Sequence, residues 1–133
     1  MDVKGAREIL FRGKRLSNGE WVYGFIIKTF DIYYIIDKDD DKNIAYKIIP
    51  ETVGQYTGLT DKNGKKIFEG DIMAFTAYGF DYVGTVEFAD GSFSVMCEHT
   101  SPFLDQAVSK HGAYIIGNMH DNPELLECFN EEE

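Results

Sequence analysis

The chain has 133 residues, enough for one domain with its own core, and 44% of them are hydrophobic. A net charge of -10 excludes nucleic-acid binding through an overall positive field, because phosphate binding rests on Lys and Arg; only a local basic patch stays open. No run approaches the ~18 apolar residues of a membrane span, and ten Phe, eight Tyr and thirteen Gly against three Pro favour aromatic-rich strands joined by many turns.

Residues 1–5 make a loose start, followed by a short apolar segment, REILFR, at 7–12. Residues 16–20, LSNGE, form a turn, and 21–28, WVYGFIIK, a strand, so the two segments read as a first hairpin. Trp21, Tyr23 and Phe25 share one face of that strand, with Val22 and Ile26 on the other. Both faces are apolar, which predicts cover on two sides. Gly24 marks a bulge or a close backbone approach. A third strand spans 32–36, IYYII. The charged run 37–43 is a loop tip, and 44–49, IAYKII, returns as the second arm of another hairpin that Pro50 ends.

The stretch QYTGLTDKNGKKIFEGDIMAF at 55–75 carries the densest backbone signals. Asp61-Lys62-Asn63-Gly64 is a turn, since Asn-Gly accepts positive φ at both residues. Gly70 between Glu69 and Asp71 makes a tight corner, fixed by side-chain to backbone hydrogen bonds, and Ile72–Phe75 continues as a strand. Residues 77–81 read as a loop with exposed aromatics. Residues 82–88 and 93–97 are two strands joined by an Asp90-Gly91 turn, and together these segments suggest an SH3-like C-terminal meander. At 101–110, Ser101 is the expected cap and Pro102 the expected first residue of a short helix that Gly112 stops. A last strand follows at 114–117, then a helical turn carrying Leu125 and Leu126. No repeat or linker breaks the chain. The expectation is one mainly β domain over 1–133, a compact antiparallel β-barrel-like fold with one or two short helices and with 1–6 and 129–133 fraying.

Chemistry is sparse. Asp37, Asp39 and Asp41 begin like a calcium loop, but Lys42 stands where the glycine belongs and Ile48 where the bidentate acid belongs, so a solvated tip is favoured. Cys97, His99, His111, His120 and Cys128 hold zinc-ligand chemistry without a known spacing; ordinary surface histidines and buried thiols are favoured. No Gly-rich phosphate loop or nucleophile motif is present. The expectation is no enzyme, no catalytic residue, no cofactor and no metal. Two cysteines without a visible leader read as reduced, cytoplasmic thiols. Two surfaces stand out as candidates for interaction: the lysine cluster Lys62, Lys65 and Lys66 with Tyr56 and Phe68, and the aromatics Tyr78, Phe80 and Tyr82.

Residues 55–72, QYTGLTDKNGKKIFEGDI, with Arg7-Glu8-Ile9, Phe11-Arg12, the segment 84–88 (GTVEF) and the ending 116–126 (IGNMHDNPELL), resemble the YopX family of phage and prophage proteins. The order and spacing run across nearly the whole chain. Residues 30–50 and 98–112 fit no pattern of that family. The resemblance implies a small, largely β protein of phages or integrated elements, working in the bacterial cytoplasm, with no catalytic residues to carry over. A binding protein acting on a host or phage protein is therefore the expected function. A nucleic-acid-binding barrel using the lysine tip is the second expectation, disfavoured by the charge, and an acidic mimic of nucleic acid the third. Exposed strand edges also leave a homo-oligomer open.

Overall fold

The computed structural model describes residues 8–126. The fraying expected at 1–6 and 129–133, and Cys128, lie outside them. The elements are β1 (Phe11–Lys14), β2 (Trp21–Thr29), β3 (Ile32–Asp37), β4 (Ala45–Ile48), a 3-10 turn at Pro50–Thr52, β5 (Gly54–Thr60), β6 (Lys66–Phe68), β7 (Asp71–Ala77), β8 (Phe80–Ala89), β9 (Ser92–Met96), α1 (Leu104–His111) and β10 (Tyr114–Asn118). They form two antiparallel sheets, ordered β4-β3-β2-β1-β5-β6 and β10-β7-β8-β9. The mainly β reading holds. The barrel does not: among the described residues one isolated bridge, Arg15 to Ile48, returns the end of β1 to β4, and one bridge is not the ladder that closure needs. The chain divides into two compact units, Met1–Gly58 and Leu59–Glu133.

In the first unit, β1 to β4 form a meander. β1 lies at 11–14, later than the apolar segment 7–12 suggested, because Gly13 and Lys14 take the register opposite Val22 and Trp21. Val22, Ile35 and Ile48 are buried together, with Phe11, Ile26, Tyr33, Tyr46 and Val53 packed around them. Gly24 is a close approach: a Cβ there would lie 1.8 Å from the Ile36 carbonyl oxygen. The expectation that β2 is covered on both faces is overturned. Phe25 is 59% exposed, and Tyr23 and Ile27 are exposed beside it. The register explains this. Phe25 pairs with Ile36 and Ile27 with Tyr34, so the outer face continues onto β3, where among the described residues Ile32 is also exposed. Trp21, at the end of that face, gains cover from the Arg12 guanidinium at 4.7 Å and the Lys14 ammonium at 5.5 Å.

In the second unit, β7 is flanked by β8 and by β10, the last of the described strands. Ile67, Met73, Phe75, Val86, Val95, Leu104 and Ala107 are buried in one core, to which α1 contributes its Leu104–Ala107 side. Gly112 ends α1 in the left-handed conformation, φ 65°, as expected of that glycine. The cap differs. Phe103 is the N-cap and no side chain caps the helix, because residues 101–103 stay extended: the Val95 N–H donates to the Pro102 carbonyl and Phe103 bridges Ser94. Pairing along the edge of β9 took the residues that would otherwise have started the helix. The loop expected at 77–81 is a two-residue turn, Tyr78-Gly79, with φ of 54° and 82°, so β8 starts at Phe80. The Asp90-Gly91 turn has the same form, as expected.

Candidate functional site

The turn at 61–64 is held by one carboxylate. Asp61 is 5% exposed. Its Oδ1 accepts the Asn63 and Lys65 N–H groups, both at 2.9 Å, and its Oδ2 accepts the Ile115 N–H at 3.0 Å. Burial pushes its pKa up, but those three N–H donors, led by Ile115, and the Lys65 charge outweigh it and hold the carboxyl below its ordinary value. One side chain thus closes the turn and ties it to the start of β10. The corner at Gly70 is built in the same way: φ is 91°, the Asp71 carboxylate accepts the Phe68 N–H at 2.8 Å, and the Met119 N–H donates to the Gly70 carbonyl.

That frame presents Lys62, Lys65 and Lys66, all exposed. The Lys62 ammonium stands 4.5 Å over the Tyr114 ring, so its charge faces an aromatic of the same unit. Phe68 is not part of this surface. It is 4% exposed, because β6 turns it inward beside Ile67 just before the corner. Tyr56 is half-buried in β5 of the first unit.

The β7–β8 hairpin carries the aromatic candidates. Tyr78 and Phe80 are 81% and 66% exposed, while Tyr82 is half-buried and stacks on buried Phe75 at 5.2 Å. His111 of α1 stacks on the same Phe75 at 5.8 Å and meets the Tyr78 ring edge at 5.6 Å. A groove of about 270 Å³ runs past Phe75, Tyr82 and Tyr114. A cleft of about 360 Å³ opens beside Phe80 and Tyr82, with Cys97, Glu98 and His99 on its far wall. Cys97 and His99 are among the zinc-ligand candidates of the sequence, and no sequence signal marks Glu98 or Asp81 beside them.

Among the described residues no three His, Cys, Asp or Glu side chains gather to hold a metal. Asp37 and Asp40 instead accept the Asp39 and Lys42 N–H groups at 2.8 and 2.9 Å, which folds the acidic run into a tip. Burial pushes the Cys97 thiol up to about 11. A thiol so placed is a poor nucleophile at neutral pH. Iodoacetamide at pH 8 should therefore alkylate Cys97 at least about tenfold more slowly than an unperturbed thiol, followed by mass spectrometry on its own peptide.

Comparison with known proteins agrees with this picture. The family described as YopX protein matches residues 10–127. The crystal structure of protein EF1440 from Enterococcus faecalis is similar at 27% identity and a TM-score of 0.61, with 91% of this chain and 99% of that chain covered. No curated relative matches. Among the described residues no helix is long and apolar enough to cross a membrane.

Proposed function

Because this chain belongs to the YopX family, we propose that it is a phage- or prophage-encoded accessory protein that binds another protein, of host or phage, and performs no reaction of its own. The observation that supports this most is the open face of β2 and β3. Tyr23, Phe25, Ile27 and Ile32 are exposed along it, and a contiguous apolar face on a small protein is the usual mark of a contact surface. Lys14 and Lys47 take the same face, opposite Trp21 and Tyr34 in the ladder, and give it a polar margin. β7, β8 and β9 form an antiparallel meander, and that architecture by itself carries no function.

The test is capture from bacterial lysate by the full chain and by Phe25→Ser. Phe25 is largely exposed, so the variant should change stability by no more than about 1 kcal/mol. A partner held in fixed ratio by the native chain and lost by the variant supports the reading. No enrichment at either low or high salt overturns it. A nucleic-acid reading has the exposed Lys65 and Lys66 in its favour, and predicts an affinity for DNA or RNA that falls steeply with salt. The charge of -10 opposes it and leaves acidic mimicry of nucleic acid as a variant of the protein-binding reading.

A further inference from the structure

The cleft beside Phe80 owes its existence to a mismatch in strand length. β9 ends at Met96, which pairs with Thr85. β8 begins five residues earlier, at Phe80, and residues 80–84 pair with β7. On the other side of that stretch the chain turns away, with the Cys97 N–H donating to the Thr100 carbonyl at 3.0 Å. Gly84 lets it pass close by: a Cβ there would lie 2.8 Å from the Cys97 sulfur. The result is a length of strand edge with a cleft along it, the geometry to which an extended segment adds as a further strand.

The lining says what such a segment should carry. Phe80, Tyr82, Val83 and Cys97 supply apolar and aromatic surface. Tyr82 is held in place by its stack on Phe75. Asp81 and Glu98 supply two carboxylates, and the Thr76 hydroxyl orients Asp81 by donating to Oδ1 at 2.7 Å. His99 sits at the rim with its Nε2 3.8 Å from Glu98. The neutral Cys97 thiol adds no charge of its own. Asp81 pairs with Thr76 and Tyr82 with Phe75, so Asp81 lies on the opposite face of β8 from Phe80 and Tyr82; a strand laid along this edge sets a basic side chain toward the carboxylates on one face and apolar ones toward the aromatics on the other, and the carboxylates repel phosphate. The volume, about 360 Å³, is ample for one long side chain.

We infer that this cleft takes an arginine or lysine side chain from an extended segment of a partner protein laid along the edge of β8. The inference deepens the protein-binding reading and rests on it, but it uses a different face from that of Phe25. The overall charge of -10 draws a basic segment toward the chain.

The test is an NMR titration of the isotopically labelled full chain with the peptide acetyl-Thr-Val-Arg-Val-Thr-amide and with its Arg-to-Gln counterpart. Saturable shifts at amides 80–84 and 97–99 are expected, with the Gln peptide at least about tenfold weaker, the loss of one charge-assisted contact. The double variant Asp81→Asn with Glu98→Gln should weaken the Arg peptide at least about tenfold and leave the melting curve unchanged, since Asn still accepts from Thr76. Absence of shifts, shifts elsewhere, or equal affinity for both peptides overturns the inference. If a lysate partner is lost by Phe25→Ser but the peptides do not bind, the cleft reading fails alone. If the peptides bind and no partner is captured, the wider reading fails alone.

Discussion

Asp61→Ala should lower the stability of the second unit by about 3 kcal/mol or more, because three backbone N–H groups lose a charged acceptor and two of them stabilise the turn itself. In a chain of this size that corresponds to a fall of roughly 10 °C in melting temperature. Asp61→Asn keeps an acceptor oxygen and should lose about half as much. The pH dependence follows from the depressed folded pKa. Its stabilisation is fully present above the unfolded carboxyl value, ~3.9, and is lost as pH falls through the lower folded value. The native chain should therefore show an acid limb that Asp61→Asn flattens. Matched melting curves between pH 2 and 7 check both effects. Identical acid limbs in the two proteins would refute the role given to this carboxylate.

Gly24→Ala should be the most damaging single methyl group in the first unit. The added carbon would lie 1.8 Å from the Ile36 carbonyl oxygen and 2.9 Å from the Lys38 nitrogen. Those are backbone atoms, which have no rotamer to move into, so β2 and β3 must separate. A loss of about 3–5 kcal/mol is expected. Hydrogen exchange at amides 22–27 and 32–37 reads it directly. Protection equal to that of the native chain would show that the two strands yield more easily than their register implies.

The turns were the most legible part of the sequence. Gly19, Gly64 and the Asp90-Gly91 pair take the positive φ that residue type announces, whereas Asn18 and Asn63 do not, so of these three turns positive φ at both residues holds only for Asp90-Gly91. Tyr78-Gly79 was missed as a tight turn because tyrosine is an unusual residue at φ 54°. The N-terminus of α1 was misplaced for another reason: Ser101 and Pro102 carry a genuine local preference, and pairing with β9 overrode it. Which face of β2 is covered was not legible at all, since both faces are apolar and cover depends on what lies above.

The candidate site divides along the same line. The exposed lysines and Tyr78 could be picked from composition. Phe68 could not be placed, because alternation along a strand puts only one of Ile67 and Phe68 inside, whereas both are buried. The cleft was invisible for a similar reason. It depends on β8 outlasting β9, a difference in length that no motif encodes.

The bond from Ile115 to Asp61 spans 54 residues, and β10, the last of the described strands, pairs with β7. During synthesis the 61–64 turn leaves the ribosome long before its third donor exists. The nascent second unit must wait, with one edge of β7 unpaired, until residues 114–118 emerge. Chains stopped by a premature codon before Tyr114 should accordingly be cleared by cellular proteases faster than the full chain.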